Sequence, residues 1–223
     1  MKHRIKKKMV YWHMDDEGIE KFEHMQKKRA ENDENLKTSM ISHLSALNDG
    51  VIAIFITVMM LEIPYPTTKD QYSTFIWSII TFLVSFFIIA DFWYDNKRIF
   101  ESIREADHLV IVADFIFLAS LALIPATTKW IMHQADRYAA VNFGIVYFLT
   151  LLFQELLYYA ALRKRFHNHF KLFFIILISH VGFLLVVNAL LMVVAYFYPR
   201  WATVLYMVLP VISFFRPEKK EEV

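Results

Sequence analysis

The sequence predicts an all-α, polytopic membrane protein with six transmembrane helices, and three observations carry that prediction. Hydrophobic residues make up 57% of the 223 residues and aromatic ones 17%. Mean hydropathy is +0.37, whereas a soluble domain is about 45–50% apolar. The apolar residues gather into six long runs, and the basic residues fall almost entirely on one side of them. A soluble core of this length has no use for so much apolar surface, so the excess must face lipid. The absence of cysteine excludes disulfides, thiolate metal sites and cysteine nucleophiles. With four glycines and neither GxxxxGK[ST] nor GxGxxG, the chain has no phosphate-cradling loop. Nothing in the pattern calls for a cofactor, a metal or a nucleic-acid partner.

Residues 1–40 read as a polar cytoplasmic tail. Lys2, Arg4, Lys6, Lys7 and Lys8 form a basic cluster, and Tyr11–Lys37 mixes charges with Ile19, Phe22 and Met25. That three-residue spacing suggests an amphipathic helix. The basic start is not followed by an apolar run within reach, so it does not read as a signal peptide. The segment is either a solvated tail or a surface helix meeting anionic lipid or a neighbouring subunit.

Residues 41–216 hold the apolar runs: His43–Ile63, Phe75–Tyr94, His108–Ile124, Val141–Leu162, Leu172–Tyr196 and Trp201–Phe215. Crossing about 30 Å of hydrocarbon takes roughly 20 residues. The third run is slightly short by that measure and the sixth is marginal. Trp93, Tyr94, Trp130, Tyr198 and Trp201 cluster at run ends, as interfacial aromatics do. Residues 217–223 form a short charged tail.

Orientation follows from the cations. Twenty Lys and Arg lie in the N-terminal tail, the second and fourth connections and the C-terminal tail. Only Lys69, Lys129, Arg137 and Arg200 lie on the other side. The positive-inside rule then places both termini in the cytoplasm and requires an even number of spans.

Polar groups inside a span are expensive and are functional candidates by default. The first span carries His43, Asn48 and Asp49 in its cytoplasmic half. Helical spacing aligns Leu47, Val51, Ile54, Val58 and Leu61 on one stripe and sends Asp49 elsewhere. The stripe is open to three uses: helix packing, lipid contact or a pore lining. Ile52, off the stripe, is expected to face lipid.

Here the residues resemble a known family. His43-x-x-x-Leu47-Asn48-Asp49-Gly50-Val51, followed by Ala53-Ile54-x-x-Thr57 and Leu61-Glu62-Ile63-Pro64, is similar to the first helix of the transmembrane protein 175 family of potassium channels. That helix bears R-x-x-x-F-S-D, usually running into G-V and ending in L-E-I-P. Ser85-Phe86 and Phe92-Trp93-x-x-Asn96 resemble its second helix. Asp107, Asp114, Phe117-Leu118 and Ala122-Leu123-Ile124-Pro125 with Thr127 resemble its third. The likeness covers roughly residues 41 to 130, and the last three helices match only in number and length. His43, Leu47 and Asn48 stand where the family has Arg, Phe and Ser, Asn96 stands for its second-helix His, and Asp114 for its third-helix Asn. The polar positions stay polar but change identity.

The resemblance implies a homotetramer in a prokaryotic plasma membrane, with the first helix of each subunit around a central pore that passes K+ and other monovalent cations. It implies that Ile54 forms the narrowest hydrophobic ring, with Leu47, Thr57, Val58 and Leu61 also lining the path. It implies a structural polar network of His43, Asn48, Asp49, Trp93, Asn96 and Asp114 behind that lining. Asp49 is then expected to anchor the first helix to the second and third. The alternative reading is a secondary transporter or proton carrier using His43, Asp49 and Asp114. The absence of a visible repeat between the two halves of the chain counts against it. A non-conducting membrane scaffold is a third reading.

Other groups are weaker candidates. His133 with Asp136 and His167 with His169 lack a four-ligand spacing and do not read as metal sites. His180 and Asn188, eight apart in the fifth span, read as an interhelical hydrogen-bonding pair, with Gln154 and Glu155 as partners for them or for Arg163.

Overall fold

A computed structural model describes residues 16–103, 106–163 and 170–199, together with 201–202, 204–206 and 208. The basic cluster at 2–8, the pair His167 and His169, the side chain of His180 and the end of the sixth run lie outside the described residues.

Helix α1 runs unbroken from Asp16 to Leu61, 46 residues. At 1.5 Å per residue it is about 69 Å long, more than twice the hydrocarbon thickness of about 30 Å. Proline is absent from this stretch, and Gly18 and Gly50 are the only glycines in it. The change from charged to apolar composition near residue 40 leaves the backbone untouched, and the helix passes from tail to span without a joint. It stops at Pro64, which disfavours helical geometry at Ile63. The last turn tightens there, Glu62 N donating to Met59 O and Ile63 N to Met60 O at 3.3 Å each.

A short turn follows, in which Gln71 Oε1 accepts from both the backbone N and the hydroxyl of Thr67 at 2.9 Å. Helix α2 then spans Tyr72–Ser102. Helix α3, His108–Leu121, is capped by Asp107, whose carboxylate accepts from Val110 N at 3.1 Å. Helix α4, Leu123–His133, continues it after one turn residue, Ala122. Pro125 explains the break, because its missing N–H leaves the Leu121 carbonyl without a helical donor. The third apolar segment therefore extends to His133, 26 residues in all, and is not short as its hydropathy suggests.

Helix α5 covers Arg137–Leu162 and is capped by Asp136, which accepts from Ala139 N at 2.8 Å. Helix α6 covers Phe170–Phe197. A further helical turn begins at Pro199, with Ala202 N donating to Tyr198 O at 3.0 Å. Proline is well placed at a helix start, where its N–H is not needed. Among the described residues, four helical segments are long and apolar enough to cross a membrane: α1, α2 with its preceding turn, α3 with α4, and α5.

The core lies among α2 to α5. Phe92 stacks edge-on against Phe117 and Tyr147 at centroid distances of 6.0 and 5.7 Å. Ile88, Ile89, Leu121, Ile124 and Leu157 fill the space around them. Helix α1 sits at the edge of this bundle and packs one face on α2, α3 and α4.

Candidate functional site

Two faces of α1 have opposite characters within the span. Leu44, Asn48, Ile52 and Met59, at helical spacing, are buried against the neighbouring helices. Ile52 is 3% exposed, so the expectation that it faces lipid is wrong. The periodicity defined the stripe correctly, but it could not say which of the other sides meets α2 to α4. About a third of a turn away the face is open: Leu47, Ile54, Val58 and Leu61 are all exposed, Ile54 by 59% and Leu61 by 82%. Thr57 is exposed on the same side, and its hydroxyl donates to Ile54 O at 2.9 Å.

Behind the open face, Asn48 joins three helices. Its Nδ2 donates to Asp114 Oδ2 of α3 and to the Leu44 carbonyl, each at 2.9 Å. Its Oδ1 accepts from Asn96 Nδ2 of α2, also at 2.9 Å. All three side chains are buried, Asp114 completely. An amide suits residue 48 because it donates and accepts at once, linking a donor on one helix to an acceptor on another. Asn96 Oδ1 and Asp114 Oδ1 have no hydrogen-bond partner among the described residues.

Asp49 makes a separate and shallower link. Its Oδ1 accepts from Trp93 Nε1 at 2.8 Å, and its Oδ2 takes the Lys97 ammonium at 3.0 Å. Lys97 also donates to Ser45 Oγ at 3.0 Å. These contacts join α1 to α2 along an open groove floored by Ile41, Ser45, Asp49, Lys97 and Phe100. The expected single network is thus two: Asn48, Asn96 and Asp114 deep, Asp49, Trp93 and Lys97 at the edge. His43 belongs to neither of these clusters. It is exposed, one turn before Leu47 on the open face.

A model of the family described as endosomal/lysosomal potassium channel TMEM175 matches residues 43–125. That stretch begins at His43 and contains both polar clusters. A potassium channel of Chamaesiphon minutus is 30% identical over 140 residues, 57% of this chain and 69% of that one. The chain belongs to the TMEM175 family. A potassium channel of Chryseobacterium sp. is 24% identical over 192 residues, covering 80% of this chain and 94% of the relative. The crystal structure of a lysosomal potassium-selective channel TMEM175 homolog from Chamaesiphon minutus shares the fold. Its TM-score is 0.63 at 22% identity, covering 78% of this chain and 95% of that chain.

Within this TMEM175 chain the remaining polar residues have local duties. Asp107 caps α3 and also takes Arg163 Nη2 at 2.7 Å, tying the start of α3 to the end of α5. Arg163 therefore pairs with Asp107, and Gln154 Nε2 donates to the Phe92 carbonyl at 3.3 Å. Asn188 is buried, and neither of its amide atoms has a partner among the described residues. His133 Nδ1 lies 3.0 Å from the Lys129 carbonyl, and Asp136 caps α5.

Sequence reasoning passed over two groups. Lys97, counted with the cytoplasmic cations, is the counter-ion of Asp49. Asp91 and Asp95, one turn apart on α2, lie within electrostatic reach of Tyr147 on α5. A carboxylate inside an apolar run, Asp91, with a second one turn on at the run's end, is a signal in its own right, and it was available from the sequence.

Proposed function

We propose that this chain is the subunit of a potassium-permeable leak channel, assembled as a homotetramer around α1. In this reading the subunit has six spans and both termini lie in the cytoplasm of a prokaryotic cell. Residues 41–216 form the channel domain between an N-terminal tail and the short tail at 217–223. The observation that carries the reading is the open apolar face of α1, set on a helix whose neighbouring face, about a third of a turn away, is locked to the bundle by Asn48.

Four Ile54 side chains around an axis close a path by sterics and dewetting. A cation there must shed water and gains no oxygen ligand, which is the barrier that limits flux. Thr57 supplies the one hydroxyl beside the ring, with Leu47 on its cytoplasmic side and Val58 and Leu61 beyond it. No bond is made or broken in this activity. A carrier using His43, Asp49 and Asp114 as a relay is disfavoured because these three point to different places: the open face, the groove and the buried core.

The test is single-channel recording of purified protein in bilayers. Ile54→Ala removes the branched side chain and Ile54→Asn adds an amide oxygen, and both are expected to raise cation flux. The Asn form is also expected to pass more sodium. Met60→Ala, on an exposed side away from the stripe, is expected to leave flux unchanged. Wild-type flux in both Ile54 variants, with assembly intact, would falsify the assignment of the pore.

A further inference from the structure

The open face does not end where the span ends. Counting back from Ile54 in alternating steps of four and three gives Gly50, Leu47, His43, Met40 and Leu36. The same count continues through Asp33, Arg29, Gln26, Phe22 and Ile19. On that line the apolar residues are Ile19, Phe22, Leu36, Met40 and Leu47, with Gln26, Arg29, Asp33 and His43 between them; apolar residues recurring at this spacing are the pattern of helices that supercoil left-handedly around one another. Because α1 has no break between Asp16 and Leu61, the line keeps its register from the water-exposed half into the span. On the aqueous half Leu36 is 65% exposed and Met40 is exposed beside it. Most of a helix's stability in a protein comes from packing its apolar face, so this face calls for a cover.

Three covers are conceivable, and the geometry separates them. A lipid surface takes amphipathic helices lying in its plane. A segment continuous with a transmembrane helix instead runs away from the bilayer, out of reach after its first turns. An unrelated protein has no reason to follow the register of the pore stripe. A second copy does, since neighbouring α1 helices around one axis would stay in contact wherever the helix continues. The charges agree with this. Arg29 and Asp33, both exposed, occupy successive layers of the same line, so parallel copies bring each guanidinium beside a neighbour's carboxylate and the layers neutralise each other. Polar layers such as Gln26, Arg29 and Asp33 set register in coiled coils at a cost in stability.

We propose that residues 19–43 assemble with the same segment of neighbouring subunits into a parallel coiled-coil stalk coaxial with the pore. This rests on the reading of α1 as the axial helix of a tetramer. The stalk would set the helices' approach at the cytoplasmic mouth, where His43 stands, and ions would enter through its side openings.

The chain's lack of cysteine makes the test clean. Leu36→Cys and Met40→Cys lie on the seam, Glu20→Cys and Lys27→Cys lie on the opposite face, and Leu61→Cys lies on the pore stripe. Each single-cysteine full-length protein is oxidised in membranes with copper-phenanthroline and run on non-reducing gels. Disulfide dimers are expected at positions 36, 40 and 61, at least tenfold above positions 20 and 27. If Leu61→Cys crosslinks while Leu36→Cys and Met40→Cys stay at the level of the controls, the stalk is wrong and the pore stands. If the stalk positions crosslink and Leu61→Cys does not, the pairing of residues 19–43 stands, but the pore reading and the stalk's alignment with it fall. Charge exchange gives a second readout: Asp33→Arg is expected to halve tetramer recovery or worse, and adding Arg29→Asp to restore it. Failure of the double variant to recover would remove the ionic layer from the proposal.

Discussion

Asn48 and Asp49 are neighbours on α1, yet the structure predicts opposite consequences for removing them. Asn48→Ala deletes both interhelical hydrogen bonds of the deep cluster, to Asp114 and from Asn96. Interhelical hydrogen bonds in membranes are worth about 0.6 kcal/mol on average and about 1.7 at most, because the separated helices find other partners. Two of them contribute roughly 1–3 kcal/mol. The partners left behind are fully buried, and an orphaned buried polar group adds about 1–3 kcal/mol. The sum for Asn48→Ala is about 2–6 kcal/mol. Asp49→Ala removes an ion pair whose side chains are 44% and 35% exposed and one bond from Trp93. A partly exposed pair is worth about 1 kcal/mol or less. Even with the Trp93 bond, the total stays near 1.5 kcal/mol.

Thermal unfolding of the purified protein, followed by size-exclusion recovery, resolves a gap of this size. For a chain of this length one kcal/mol moves Tm by about 2–4 °C. Asn48→Ala should therefore lower Tm by on the order of 12 °C and Asp49→Ala by about 4 °C. Equal losses in the two variants, or a larger loss for Asp49→Ala, would refute the division into a deep lock and a shallow edge. It would return Asp49 to the anchoring role its motif suggests.

Three further outcomes are expected. A Cβ on Gly144 would meet Met192 Cγ at 2.7 Å and, closer still, the Tyr206 hydroxyl, so Gly144→Val should lower stability by about 1–3 kcal/mol by overpacking; a melting temperature unchanged within 1–2 °C contradicts that packing (roughly half a kcal/mol). Asp107→Ala loses a helix cap worth about 1 kcal/mol as well as the Arg163 pair. Arg163→Ala loses only the pair, so the first variant should destabilise about twice as much, and equal values would dismiss the cap. Finally, His43 is exposed on the open face one turn before Leu47. His43→Arg puts a fixed positive charge there and should lower cation current relative to His43→Ala, and equal currents in the two variants would place His43 off the path.

Four spans among the described residues were legible because hydropathy reports the cost of burying each residue in lipid, which does not depend on tertiary contacts. Where local geometry intervened, the reading slipped. Pro125 broke a helix without ending the segment, so the third run looked short and in fact continues to His133. Composition changed at residue 40 although the helix did not. The polar cluster was recognisable by residue type, but its division was not. Neighbouring positions on a helix differ by about 100°, and only the placement of α2 and α3 shows that Asn48 looks inward and Asp49 sideways. Asp91 and Asp95 were readable from the start as carboxylates in an apolar run and at its end, and no motif drew attention to them.

The two sides of α1 explain each other. A helix at the edge of a bundle, with an exposed apolar face in its span, would satisfy a bilayer without further partners, since lipid tails are as apolar as leucine. Lipid selects for apolarity alone. It does not select for Gly50, Thr57 and His43 on the same line as Ile54, and in the proposed pore those positions face the path and not the tails. Leu36 and Met40 carry the apolar part of that line past the span, where, in the proposed assembly, another copy of the same helix covers them. The deep Asn48 cluster then has a mechanical purpose. It fixes the rotation of α1 about its own axis, and a rotation of one residue, about 100°, would turn Ile54 away from the proposed pore axis and bring Phe55 or Ala53 to it.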